Sequence, residues 1–356
     1  MSVHLQTISY KKYSLTLIYA LVVMAILSWG MEFYFQKLYG DLTRIGNFPE
    51  RDFGWNALQP AIEPQLFKDY PLEEADILII GDSFSVSRVW QSKLIAEGMK
   101  VSTIIWQDLK TDERLPNNLG EVLRSAGFKG RYVIIESIER LFQSRMQKLA
   151  ENTPPLIKRT LVIDAAFPLY PFTQRQRISF DKLNGADWGV KALYNHIKLK
   201  LDLPQEYLKS GAVQAVKINT CAWFSHHLCQ YAIFVDGDFK KQTFNSINNV
   251  LAVNKNLQEA GFQPIWMLVP DKSTVYLGYG VLGQYPYQNI WQTFAQHSEL
   301  IAPDIASAFI PKSRATVDFY MPNDTHLSTI GFLYMGDYMA KGMRNIMNNQ
   351  PNPFAQ

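Results

Sequence analysis

The chain has 356 residues, 47% of them hydrophobic and 19% charged. That is enough apolar material for one large or two small domains with a substantial core. The net charge is +3, and the sequence holds neither a Lys/Arg-rich run nor an RNA-binding signature. These features exclude nucleic acid as an expected partner.

The first element in chain order is an uncharged run from Ser14 to Gly30. Lys11 and Lys12 precede it, and Trp29 and Tyr34 stand near its far end. Its length approaches the roughly 20 apolar residues that span a bilayer. This predicts a single-pass transmembrane anchor over residues 13–35 behind a short tail, residues 1–12. The leading lysines set that tail in the cytoplasm. The rival reading is a cleaved signal peptide, with Ser28 and Gly30 as the small residues at its cleavage site. Either way the body is exported, in a bacterium to the periplasmic face of the inner membrane. Residues 36–75 carry Pro49, Pro60 and Pro64. They read as a stalk that packs against the body or leads into it.

Beyond the stalk, strands are predicted over residues 76–80, 101–106, 131–136, 230–235 and 264–270. Helices are predicted over 119–126 and 244–260. Strands alternating with helices point to an α/β fold with a central parallel sheet. Residues of about 147–229 break that rhythm with Pro154-Pro155, a short apolar run from Leu161 and a helical pattern over 188–201. They read as an insertion or cap over the sheet. The body runs over residues 76–347, and the polar tail 348–356 is expected to fray. Cys221 and Cys229 are the only cysteines. In an oxidising compartment they are a candidate disulfide. His226 and His227 lie between them, so a Cys/His metal site is the alternative, although the spacing fits no standard zinc pattern.

Two short motifs carry the chemistry. The apolar run from Asp76 leads straight into Gly81-Asp82-Ser83, and a helical pattern follows with Ser85 as its expected N-cap and Gly98 as its stop. Ser83 therefore falls on a strand-to-helix turn at the carboxyl edge of the sheet, where open α/β folds place ligands. Late in the chain, Asp324-Thr325-His326 precedes a helical pattern over 329–347. Residues two apart in an extended segment point the same way, so one loop presents both side chains together. A hydroxyl, a base and a carboxylate to orient the base make up the kit for acyl transfer.

This pair of motifs resembles the SGNH (GDSL-like) hydrolase superfamily. The Gly81-Asp82-Ser83-Phe84 elbow and the one-residue spacing of Asp324 and His326 are similar to the alginate O-acetyltransferase type, which is membrane-anchored and exported. Glu136, Glu139 and Arg140 after the third strand, and Val269-Pro270-Asp271-Lys272 leading to Tyr276, also look like family features. The resemblance implies a flavodoxin-like three-layer α/β/α fold. It implies Ser83 as nucleophile, His326 as general base, Asp324 as its orienter and the Ser83 N–H as one oxyanion donor. Asp82, Glu136, Arg140 and Lys272 are the expected supporting or substrate-binding residues, with a buried ion pair and a surface lysine as the alternatives. No cofactor or catalytic metal is implied. The implied partners are a multipass membrane acyltransferase that donates acetyl groups and a polysaccharide that accepts them. There are two departures. Glu136-Ser137 stands where the superfamily has Gly-x-Asn-Asp, so the remaining oxyanion donors are unassigned. The Asp-x-His segment follows the serine, whereas in the alginate proteins it precedes it.

The expected activity is O-acetyl transfer through an acetyl-serine intermediate. A carbohydrate acetyl esterase uses the same triad with water as acceptor, and an anchored, non-catalytic polysaccharide adaptor is the reading from a different class. Trp106, Trp223 and Trp266 are expected in the core before any sugar-stacking role.

Overall fold

The structure is a computed structural model and describes residues 10–35, 40–53, 57–151, 186–236, 244–277, 289–348, 350 and 354. The proline pair at 154–155 and the apolar run from Leu161 lie outside the described residues. Helix α1 (Tyr10–Phe35) opens the chain, followed by the short helices α2 (Asp41–Arg44) and α3 (Glu50–Phe53). The body then runs β1 (Ile77–Gly81), α4 (Ser83–Val86), α5 (Gln91–Ala96), β2 (Val101–Ile105), α6 (Leu119–Ser125), β3 (Tyr132–Ile138) and α7 (Glu139–Met146). After α8 (Ala186–Lys200) come β4 (Lys209–Ser210), β5 (Val213–Val216), β6 (Ile233–Asp236), α9 (Ile247–Glu259) and β7 (Gln263–Val269). Four helices close the described chain: α10 (Lys272–Leu277), α11 (Ile290–Ala295), α12 (Ile305–Arg314) and α13 (Thr329–Met347).

The main sheet has four parallel strands in the order β2-β1-β3-β7. Its strands are apolar on both faces because both faces are covered. Ile77, Ile79, Ile134 and Met267 pack into one core with Trp90, Leu94, Phe332 and Met335 from α13 and the α5 region. Leu78, Ile80, Val133 and Trp266 pack into a second core with Leu119, Leu123, Val253 and Phe294 from α6, α9 and α11. This is the layering a parallel sheet requires, since each strand must bury successive side chains in opposite directions. Trp106 and Trp266 are fully buried, and Trp223 leans on Tyr276.

Two sequence expectations change. The strand near residues 230–235 forms, but as β6 of a separate antiparallel sheet in the order β4-β5-β6. Cys221 and Cys229 are joined as a disulfide between β5 and β6, on the connection that turns the chain back on itself. Pairing depends on the connection and the partner strand as well as on the apolar pattern, so the run alone does not name its partner. The Cys/His metal alternative falls with it, because both sulfurs are in the disulfide. His226 is buried, and burial, followed by the charges of Lys272 and His227, pushes its pKa down to about 3.

The helix after β1 also starts earlier than expected. Asp82, not Ser85, is the N-cap, accepting from the Phe84 N–H, and Ser83 occupies the first helical position. The helix is then interrupted: Arg88 has φ 61°, and α5 begins only at Gln91.

α1 is long and apolar enough to cross a membrane. Its last turns are part of the packed body. Ser28, Glu32 and Phe35 are buried, and Phe35 packs with Trp188 and Ala192 of α8. A Cβ on Gly189 would lie 2.7 Å from the Ser28 carbonyl oxygen, so the two helices meet backbone to backbone there. The stalk packs against the body as well. Leu42, Phe48 and Phe53 share a core with Leu199, Val213, Tyr231 and Phe234. In the tail, the Phe354 ring rests on Tyr338.

Candidate active site

The elbow is fixed by its neighbours in the sheet. The Asp82 carboxylate accepts from three donors. One carboxylate oxygen accepts from Phe84 N at 3.0 Å; the other accepts from Ile138 N at 2.8 Å and Arg145 Nη1 at 2.7 Å. This ties the start of α4 to the end of β3. Burial opposes the charge on Asp82, but Arg145 and the backbone donors outweigh it, and the pKa is lowered. Arg145 also donates to Ser137 Oγ at 2.6 Å and pairs with Glu113 at 2.9 Å, its guanidinium lying over Trp106. Glu136 Oε2 accepts from Asp82 N at 2.9 Å and Ser85 Oγ at 2.7 Å. Burial first, then the charge of Asp82, raises the Glu136 pKa well above the ordinary carboxylate range. Gly81 has no alternative side chain here: a Cβ would sit 2.4 Å from Ser85 Oγ and 2.8 Å from Glu136 Oε2.

With the elbow bolted down, Ser83 stays exposed at the carboxyl end of β1. Its Oγ lies 2.7 Å from His326 Nε2. On the other side of the ring, His326 Nδ1 lies 2.5 Å from Asp324 Oδ1, which also accepts from the His326 N–H at 2.9 Å. The Phe84 ring supports the imidazole with centroids 4.7 Å apart. Burial disfavours the imidazolium, but the charge and hydrogen bond of Asp324, helped by Asp41, outweigh it, and the His326 pKa is raised. Arg140 acts against that rise. Burial likewise opposes the Asp324 charge, yet His326 and Lys272 bring its pKa down to about 2. The motifs 243 residues apart in sequence thus meet as a hydrogen-bonded hydroxyl, imidazole and carboxylate.

The other expected site residues stand behind this line. Glu136 and Lys272 are enclosed, with 0% and 1% exposure, so neither meets a substrate from solvent. The alternative of a surface lysine at residue 272 does not hold. Its Nζ donates to the carbonyls of Met321, Pro322 and Asp324 at 2.6, 3.0 and 3.2 Å, with the rings of Phe224 and Phe234 beside it. Burial lowers its pKa to about 7, with Asp324, Asp318 and Asp41 resisting. Arg140 pairs with Asp271, whose N–H donates to Glu139 at 2.9 Å, and reaches Thr325 Oγ1 at 3.4 Å. Its side chain keeps 17% exposure.

Sequence reasoning missed Arg145, Asp41 and Thr325. Arg145 is one ordinary helical arginine among many, and nothing in its spacing marks the buried carboxylate it meets. Asp41, Asp324 and His326 offer ligand atoms within 4.8 Å of one another, close enough for a cation. Their bonds to each other, to Arg44 and to Thr325 account for the cluster without one.

No protein-family model matches the chain, and no curated protein or solved structure matches it.

Proposed function

We propose that this protein is an SGNH-like O-acetyltransferase that acts on hydroxyls of an exported polysaccharide. The observation that carries the reading is the continuous line from Ser83 Oγ through His326 to Asp324, with contacts of 2.7 and 2.5 Å. A serine hydroxyl needs a base to take its proton before it attacks, and the imidazole stands where that transfer occurs. As Ser83 Oγ attacks an acetyl carbonyl, His326 Nε2 takes the hydroxyl proton. Collapse of the tetrahedral adduct returns that proton to the leaving group and leaves acetyl-Ser83. A sugar hydroxyl then attacks, His326 takes its proton, and collapse frees the acetylated sugar and returns the proton to Ser83. Asp324 fixes the tautomer and stabilises the imidazolium. The Ser83 N–H serves as one oxyanion donor.

The packing of α1 supports a retained anchor over a cleaved leader. Ser28 is buried and its carbonyl oxygen meets Gly189 of α8 backbone to backbone, a contact that cleavage near Ser28 or Gly30 would remove. A tether holds the site beside a membrane-borne acetyl donor, which a free esterase does not need, and a multipass acyltransferase is the partner of that chemistry.

The test is to assay the full chain in detergent with a chromogenic acetyl ester, with and without oligosaccharide acceptors. Transfer to the sugar, lost by roughly 10³-fold or more in Ser83→Ala and His326→Ala, supports the reading. Acetate release without acetylated sugar under any acceptor would make the protein an esterase. Inactivity of the wild-type chain towards every donor would leave the adaptor reading.

A further inference from the structure

The stalk does more than connect. Residues 40–50 reach the base loop at four points: three on Asn323, just before the Asp-x-His segment, and one on Thr325 inside it. Leu42 N donates to the Asn323 carbonyl at 3.1 Å. Asn323 Nδ2 donates to Glu50. Gly40 has φ 81° and lies so close that a Cβ would stand 2.3 Å from the Asn323 oxygen. Asp41 accepts from Thr325 Oγ1 at 2.5 Å and from Thr325 N at 3.3 Å. Thr325 is the residue between Asp324 and His326, so its backbone sets the direction of both catalytic side chains.

We propose that Asp41 is a positioning residue of the site: through Thr325 it holds the Asp324–His326 loop in the geometry that reaches Ser83, so the segment following the apolar helix forms part of the active centre. The inference rests on the proposed triad chemistry. Asp41 is 2% exposed, and its second oxygen pairs with Arg44 at 2.5 Å, so the carboxylate is oriented from both sides. A buried, doubly bonded carboxylate has one orientation, and it passes that orientation to the loop. The loop is closed at its base by the Tyr320–Leu327 bridge and the Met321 N–His326 O bond of 3.0 Å, and Asp41 fixes its middle; an error of about 1 Å at a reacting group costs up to about 10²-fold in rate.

The charge of Asp41 reaches His326 as well. The groups facing the imidazole are Asp324 on its own loop, Asp41 from the stalk, Arg140 from α7, the Ser83 hydroxyl and the uncharged Phe84 ring. Lys272 stands one step back on the Asp324 carbonyl. The two carboxylates favour the imidazolium and Arg140 disfavours it. The neutral ring is the base, and its pKa is raised. The rate therefore climbs with pH along a limb whose midpoint lies above the ordinary histidine value of about 6.5. Removing the Asp41 charge moves that limb to lower pH.

The experiment uses the full chain in detergent micelles, with the chromogenic acetyl ester as probe. Asp41→Asn and Thr325→Val are each expected to lower kcat by roughly 10- to 100-fold with little change in KM. The double variant is expected to be no worse than the poorer single one, because both break the same link. Thr325→Ser keeps the hydroxyl and is expected to restore most of the rate. The acid limb of kcat/KM moves down in Asp41→Asn and stays in place in Thr325→Ser. An NMR titration of the His326 ring, assigned among the six histidines by a His326→Gln variant, gives the same shift without any turnover. A fall of the His326 pKa in Asp41→Asn supports the positioning contact even if the acetyl-transfer reading fails. An unmoved His326 pKa, or additive losses in the double variant, overturns it.

Discussion

The elbow from Gly81 to Ser85 is held by its own strand and the strand beside it, whereas the loop from Met321 to His326 is held by side chains from three distant segments. Asp82 bonds to the end of β3 and to Arg145, and Glu136 of β3 closes the same turn from below. The loop pairs only with itself, through the Tyr320–Leu327 bridge and the Met321 N–His326 O bond, and with the stalk backbone at Leu42. Lys272 gathers three of its carbonyls, Asp41 and Glu50 hold it from the stalk, and Arg140 touches it from α7. A hydroxyl at a strand end inherits the rigidity of the sheet. An imidazole on a loop must be given rigidity, and here buried charges add to the Met321 N–His326 O bond and the Tyr320–Leu327 bridge at the loop's base.

The comparison predicts a gradient of effects. The largest loss of stability is expected at the elbow. Asp82→Ala leaves the buried Arg145 with Glu113 as its remaining carboxylate partner and frees the end of β3. A cost of about 3–5 kcal/mol is expected, read by urea denaturation, with activity lost at the same time. A loss below about 1 kcal/mol would show that the sheet does not depend on this ion pair.

The loop is expected to answer more mildly. Lys272→Met removes the donor from three carbonyls but also removes a charge that burial already disfavours, which brings its pKa to about 7. A loss of about 2 kcal/mol is expected, with kcat falling further than stability alone explains. If kcat and KM stay unchanged, Lys272 serves the fold and not the loop. The smallest effect belongs to neither region. Lys93 and Asp337 pair at 2.9 Å on the surface between α5 and α13. Lys93→Ala is expected to cost less than about 1 kcal/mol and to leave activity intact, and a larger cost would place that helix contact among the supports of the site.

The same contrast explains what was legible in the sequence. The apolar run of β1 and the Gly-Asp-Ser turn are local signals, and the position of Ser83 followed from them. α13 was readable from its period and forms over the predicted residues, Thr329–Met347. Serine is a common cap, so the local sequence points to Ser85. Asp82 takes the position because the same carboxylate can also bind β3 and Arg145, a contact no local pattern displays. β6 was recognisable as a strand but not as a member of a second sheet, since pairing depends on partners distant in sequence. Asp41 lies 284 residues from Thr325, and a single aspartate after an apolar helix carries no mark of that contact.

The central claim is that Ser83 becomes covalently acetylated with His326 as its base. The direct measurement is peptide mass analysis of the full chain, quenched rapidly after mixing with an activated acetyl ester. The account predicts one acetyl group on the Ser83 peptide of the wild-type chain and none there in Ser83→Ala, with the amount formed greatly reduced in His326→Ala. Turnover that proceeds with no acetyl on Ser83, or that survives Ser83→Ala, would contradict it.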